Sequence, residues 1–413
     1  MKVLVKLTSI LLLVMLSFVL MLLPSLATAE IGPALSGLTG SANDATSVFF
    51  SPAGITRLEQ TEVVLDAAFL FKESKFEVDN ATFPGGDGDY DKELPFIPGV
   101  FFAKPLNERW HLGLSVNVPS GIGNNYGKDW SGRYHVDEAT LAFVALTGVL
   151  AYELTDNLSL AAGPYGMYVD SYIKARVNNL LPGYGDGRIE LEETGGDIGF
   201  ILGTLYEFTD TTRMGLTYRS ELNPDLEGTP TIKGIDPLLR QTLAAANLLG
   251  TEVDVDFTVP AQAQGGFYTE FLDHWSMTGD LMWIDMSEFG ITHIRVEVDS
   301  VSVDSKYRDM WIANAGFKYR YAKDRAVSVG ALYASSPVTD SNRDAGLPLD
   351  RIIGGGVGVE LPVRDYLCRI NLNYFDLGDG DVSQQGGPLT GDFEGSFSKN
   401  WAVMLDLQFR KLF

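Results

Sequence analysis

Cysteine is nearly absent: Cys368 is the single one in 413 residues. No internal disulfide can form, so a chain of this size must hold together by burial and backbone hydrogen bonding. Positive charge is scarce too, with 31 Lys+Arg against 54 Asp+Glu and a net charge of -23. A surface so acidic repels phosphate backbones, which argues against a nucleic-acid partner. Histidine is rare as well, and His111, His135, His274 and His293 follow no repeated spacing. Neither a metal-ligand set nor a nucleophilic triad can be built from them. The Asp376, Asp379, Asp381 cluster lacks the full calcium-loop pattern and reads as a solvated loop. No metal, no cofactor and no enzymatic activity are expected.

Long apolar runs are missing everywhere except at the start. Lys2 and Lys6 precede the run Leu7 to Leu23, Pro24 breaks it, and Ala27-Thr28-Ala29 stands before Glu30. That order is a secretory signal peptide occupying residues 1–29, with small residues at the cleavage site. No second run of spanning length follows, although 45% of the chain is hydrophobic. Contact with a membrane must then be spread over short strands.

Such strands are legible by their period. Trp110, Leu112, Leu114, Val116 and Val118 alternate with His111, Gly113, Ser115 and Asn117. Near the end, Trp401, Val403, Leu405, Leu407 and Phe409 alternate with Ala402, Met404, Asp406, Gln408 and Arg410. Alternation of this kind is a β-strand with one greasy face. It does not say whether that face meets a core or a lipid. Tyr and Trp gather at strand ends, among them Trp110, Tyr152, Tyr206, Tyr268, Trp275, Trp311 and Tyr366, as in the aromatic girdles of a membrane barrel. The chain closes on Phe413 in phase with Phe409.

Short polar corners recur at 105–108, 155–157, 209–212, 272–274, 322–325 and 362–365, with long Gly-, Pro- and Asp-rich stretches between them. Short turns on one side and long loops on the other are the asymmetry of outer-membrane barrels. The expected fold is therefore an all-β transmembrane antiparallel barrel of about fourteen strands over residues 59–413. In the longest loop, Ile235 to Leu248 reads as a greasy helix, suited either to capping the barrel mouth or to receiving apolar ligand.

Four stretches carry a family resemblance. They are Ala42 to Gly54, containing Phe49-Phe50-Ser51-Pro52-Ala53; Pro119-Ser120-Gly121 with Tyr126, Trp130 and Gly132-Arg133-Tyr134; Leu216-Thr217-Tyr218-Arg219-Ser220-Glu221; and Ser336-Pro337-Val338 with Arg343 and Leu347 to Arg351. In order and spacing they resemble the FadL/TodX family of outer-membrane transporters of fatty acids and other hydrophobic compounds. The first stretch departs from the family's Asn-Pro-Ala signature, because Ser51 replaces the asparagine.

The resemblance implies a barrel with an N-terminal hatch inside, here residues 30–58, with Phe49, Phe50, Ser51, Pro52 and Ala53 at its gate. It also implies passive uptake into a lumenal pocket and lateral exit into the membrane of a Gram-negative bacterium. A terminal aromatic on the last strand resembles the signal read by the barrel assembly machinery, and lipid with lipopolysaccharide is the expected surrounding.

A fatty-acid carboxylate inside an apolar lumen needs cations or donors. Parity assigns Lys174 and Arg176 to the inner face, near the place where the family holds a basic residue, and Arg219 to the same face because Met214, Leu216 and Tyr218 take the other. Lys306 and Arg308 fall in with Asn314 and Lys318, opposite Trp311. These five are the candidate ligand-binding residues. Their alternative is simple pairing with lumenal acids such as Asp197, Asp280 and Glu360. Long-chain fatty acids are the first substrate expectation; aromatic hydrocarbons, or a nonspecific porin, are the alternatives.

Overall fold

A computed structural model describes residues 36–89, 95–296, 299–302, 307–345 and 350–413. Fourteen long strands form one antiparallel ring: β1 Glu62–Ala81, β2 Phe96–Pro105, β3 Trp110–Asn125, β4 Glu138–Thr155, β5 Leu158–Val177, β6 Gly187–Thr209, β7 Thr212–Arg219, β8 Gln262–Phe271, β9 Trp275–Ile284, β10 Met310–Ala322, β11 Arg325–Ala334, β12 Ile352–Val363, β13 Tyr366–Asp376 and β14 Phe393–Leu412. The ring closes where β1 pairs with β14, from Glu62 opposite Leu412 to Ala81 opposite Phe393. Closure turns the edge strands of an open sheet into neighbours, the condition for spanning a bilayer with strands.

Which solvent the greasy faces meet is decided by burial. On β3, His111, Ser115 and Asn117 are buried while Leu114 and Val116 are exposed. On β14, Asp406 and Gln408 are buried while Leu405 and Phe409 are exposed. Polar inside and apolar outside inverts the pattern of a soluble sandwich and fits a wall facing lipid. Aromatic pairs sit on that outer wall, Trp110 against Tyr152 at 4.6 Å and Trp275 against Tyr319 at 4.8 Å. Tyr268 departs from the girdle expectation: it is buried, with the Arg213 guanidinium 3.9 Å above its ring. Its parity places it inside, where the cation shields its face.

The six expected corners are tight hairpins joining β2–β3, β4–β5, β6–β7, β8–β9, β10–β11 and β12–β13. Leu272, Asp324 and Arg364 take positive φ in three of them, the backbone twist that tight hairpins require. In the longest loop the greasy stretch is helical over Pro237–Ala245, with Asp236 at its N-cap accepting from Leu238 N and Leu239 N. Its Leu239 and Leu243 are buried in the main apolar cluster, while Leu238 is exposed.

Residues 36–58 run inside the ring as two short helices, Leu38–Ser41 and Ser47–Phe50, and a 3-10 turn, Pro52–Arg57. Glycines on the surrounding strands make room for them. A methyl group at Gly203 would lie 2.5 Å from Pro52, at Gly113 2.6 Å from Val48, at Gly215 2.7 Å from Thr39, and at Gly316 1.9 Å from Ser36.

Candidate functional site

The N-terminal segment is held by strands that lie far from it in sequence. Asp280 of β9 accepts from three successive amides, Gly37 N (2.8 Å), Leu38 N (3.2 Å) and Thr39 N (3.0 Å). Gly37 has φ 80°, a left-handed conformation that starts this run. Arg213 of β7 donates to the carbonyls of Gly40 and Ser41 and to Asn43. On the far side, Asp44 pairs with Arg369 of β13 at 3.2 Å, and Arg369 is braced by Glu360 of β12, which also takes Lys318 of β10. Ala45 N donates to Glu62 at 2.7 Å.

Above this segment lies a cavity that is partly open to solvent. Phe49 and Phe50 form its floor, and Phe143, Met282, Ile284, Phe289, Ile312 and Leu332 line its walls. The polar lining is small: Tyr165, Gln262, Gln264, Asn314, Ser120 and Arg219. Arg219 is the one charged group among these described lining residues. Its Nη1 donates to Gln262 at 3.2 Å, its Nη2 to the Phe49 carbonyl, and its guanidinium stacks 4.0 Å from the Phe49 ring. Next to it, Thr217 Oγ1 donates to the Phe50 carbonyl at 2.9 Å. One strand, β7, therefore supplies both the cavity's cation and the clamp on its floor.

The other sequence candidates are placed elsewhere. Lys174 and Arg176 do not face the lumen: Tyr165, Met167, Val169, Ile173 and Ala175 form the buried face of β5, which turns the two basic residues outward. The parity is the reverse of the expected one, because Ile173, between the two basic residues and Tyr172, belongs to the apolar core rather than to the lipid face. At the outer end of the wall Lys174 pairs with Glu138 at 3.0 Å and Arg176 with Asp137 at 2.9 Å. Arg308 is exposed among the outer loops, its Nε donating to the Ser336 carbonyl at 3.0 Å. Lys306 lies outside the described residues. Ser51, Pro52 and Ala53 are buried beneath the cavity beside Phe49 and Phe50.

Among the described residues the strand ladder is interrupted on one side. β2 has ten residues between strands of twenty and sixteen. It pairs with β1 only as far as Phe69 opposite Phe96, and with β3 only as far as Gly99 opposite Asn117. Pro95 and Pro98 lie at that end, and proline donates no ladder bond. Beyond it, Lys72 Nζ of β1 reaches across to Asn124 Oδ1 of β3 at 2.7 Å. The cavity extends to Pro119 and Ser120 of β3, beside this opening.

Residues 20–363 match the family described as outer membrane protein transport protein (OMPP1/FadL/TodX). The chain belongs to that family. It is 22% identical over 354 residues to a long-chain fatty acid transport protein of Escherichia coli O6:H1, covering 78% of each chain. Among solved structures, a FadL homologue of Pseudomonas aeruginosa matches 95% of this chain and 99% of its own with a TM-score of 0.80 at 18% identity. The toluene transporter TbuX of Ralstonia pickettii matches with a TM-score of 0.67, also at 18% identity, over 94% of this chain and all of its own. This FadL/TodX-family protein is thus an outer-membrane transporter of hydrophobic compounds in a Gram-negative bacterium.

Proposed function

We propose that the transported compounds are long-chain fatty acids, taken up passively, with residues 36–58 acting as a hatch and with lateral exit into the membrane. The observation that carries this reading is the guanidinium of Arg219 in a largely apolar cavity whose other described lining residues are uncharged. A carboxylate there gains charge-assisted hydrogen bonds, roughly twice as strong as neutral ones. Its chain then extends toward Met282, Ile284 and Ile312. Each methylene kept out of water is worth about 0.8 kcal/mol, which a water-filled pore would forfeit.

The short β2 supports lateral exit, since ligand leaving beside Ser120 never crosses the aqueous periplasmic mouth. The exposed apolar band supports a surrounding of lipid and lipopolysaccharide, and the aromatic end of β14 supports handling by the assembly machinery. Aromatic hydrocarbons are the second reading, favoured by how little of the lining is polar. Equilibrium binding of a labelled long-chain fatty acid and of its alcohol, to wild type and Arg219→Met, separates the two. A preference for the acid that Arg219→Met abolishes supports the fatty-acid reading; equal binding of acid and alcohol by wild type refutes it.

A further inference from the structure

The wall has a second interruption, and it lies beside the cavity's cation. β6 and β7 pair without a gap from Glu207 opposite Arg213 to Ile201 opposite Arg219, and Ser220 N still donates to Phe200 O at 3.0 Å. Strand pairing resumes only at Thr194 opposite Glu227. Between these points the segment 220–224 stays with its other neighbour: Leu222 and Val259 exchange both backbone bonds, and Phe257 N donates to Pro224 O. Toward β6 the ladder is replaced by two side chains. Ser220 Oγ accepts from Phe200 N at 3.0 Å, Asp197 Oδ1 from Ile198 N at 2.7 Å, and Asp197 Oδ2 from Asn223 N at 2.7 Å.

Hydrocarbon offers no partner to an open strand edge, so these oxygens are what makes the seam tolerable in a membrane. They also make it separable. Ladder bonds move only with whole strands, whereas bonds from Asp197 and Ser220 are broken by turning side chains. Gly199 lies on the seam, where an added methyl would stand 2.0 Å from Ser220 Oγ and 2.8 Å from Leu222.

Three features line up across it. On the lumenal side, Arg219 precedes Ser220, and Met167, the register partner of Asp197, lines the cavity. On the lipid side, Ile198 is 75% exposed. A hollow in the outer wall begins alongside, bounded by Leu202, Tyr218, Leu281 and Trp283 over a floor of Ala263 and Gly265. Gln264 borders both the lumenal cavity and this hollow.

We propose that the β6–β7 seam is a second lateral portal, through which an apolar chain passes between the lumenal cavity and the hollow on the lipid face. The proposal rests on the reading of the protein as a channel for apolar compounds and adds a route to the one beside β2. Leu222, fully buried behind Gly199, is the leaf that must swing when the side-chain bonds part.

The test uses the full chain in liposomes with Cys368→Ala as background and labelled oleate as probe. Gly199→Cys with Ser220→Cys bridges the seam on oxidation; Asn124→Cys carrying a bulky maleimide blocks the β2 side, at a position outside the cavity lining. Two parallel routes predict that oxidation removes roughly half of the flux while equilibrium binding is unchanged, and that both closures together remove all of it. Unchanged flux on oxidation, or complete loss from the Asn124 block alone, overturns the proposal. If the cysteine pair fails to fold, Asp197→Ala with Ser220→Ala unbolts the seam without a cross-link and raises the flux; an unchanged flux there overturns it equally. Absence of oleate binding by the unmodified protein overturns the channel reading itself, and the seam with it.

Discussion

Replacing Asp280 by asparagine isolates the charge that holds the N-terminal segment. The carboxylate accepts from Gly37, Leu38 and Thr39 at 2.8 to 3.2 Å. Hydrogen bonds to a charged group contribute about 1.5–3 kcal/mol each and neutral ones about 0.5–1.5. The amide keeps one acceptor oxygen, adds donors that face the amides, and keeps its size. A loss of about 2–4 kcal/mol in local stability follows, or roughly 30-fold to several hundred-fold faster opening of residues 37–41. Hydrogen exchange read by mass spectrometry on the peptide covering these residues measures it. Exchange in the strands stays unchanged, because the ring closes without the segment. Equal protection of residues 37–41 in variant and wild type would refute the argument that Asp280 tethers this end.

Other outcomes follow from the same geometry. Gly316→Val drives a side chain into Ser36, whose Oγ stands 1.9 Å from the added Cβ position; overpacking of this kind costs about 1–3 kcal/mol, and limited proteolysis near Ser36 should accelerate while heat-modified gel mobility shows an intact barrel. Lys174→Ala with Arg176→Ala leaves fatty-acid affinity within about a factor of two, since both side chains turn away from the lumen and neither touches the cavity; a large loss of affinity would return them to the site.

Asp236 carries a pH dependence. Burial alone would raise its carboxyl, but the amides of Leu239, Leu180, Leu181 and Leu238 outweigh this and hold it below the usual carboxylate range. A depressed folded value means that the order it contributes is complete above the unfolded value near about 3.9 and is lost as pH falls through the folded one. Amide exchange at residues 180–181 and 238–239 should therefore rise together only under strong acid, and in Asp236→Ala at every pH.

Much of the fold is legible because barrel strands write themselves locally. Alternation at Trp110 to Val118 and the six polar corners depend on neighbours two to four residues away, so strand count and turn positions follow from the chain alone. The solvent of the greasy face needed burial to decide it. Arg219 was legible because Met214, Leu216 and Tyr218 fix its parity without ambiguity. The parity of Lys174 and Arg176 was not, since β5 is apolar on its inner face too, and Ile173 then gives no bearing. Asp280 was legible as a lumenal acid but not as a tether, and Arg213 and Arg369 escaped entirely: the partners lie 170 to 325 residues away, and a lone lumenal charge carries no local mark of what it holds. The seam at Asp197 and Ser220 was hidden for the same reason, since a missing ladder is a property of two strands together.

The most direct test of the central claim is flux of a labelled long-chain fatty acid through purified protein in liposomes, set beside protein-free liposomes and beside Arg219→Met. The account predicts saturable flux that requires the protein and falls when Arg219 is replaced. Flux no faster than through bare lipid, or flux equal for wild type and Arg219→Met at concentrations below saturation, would contradict it.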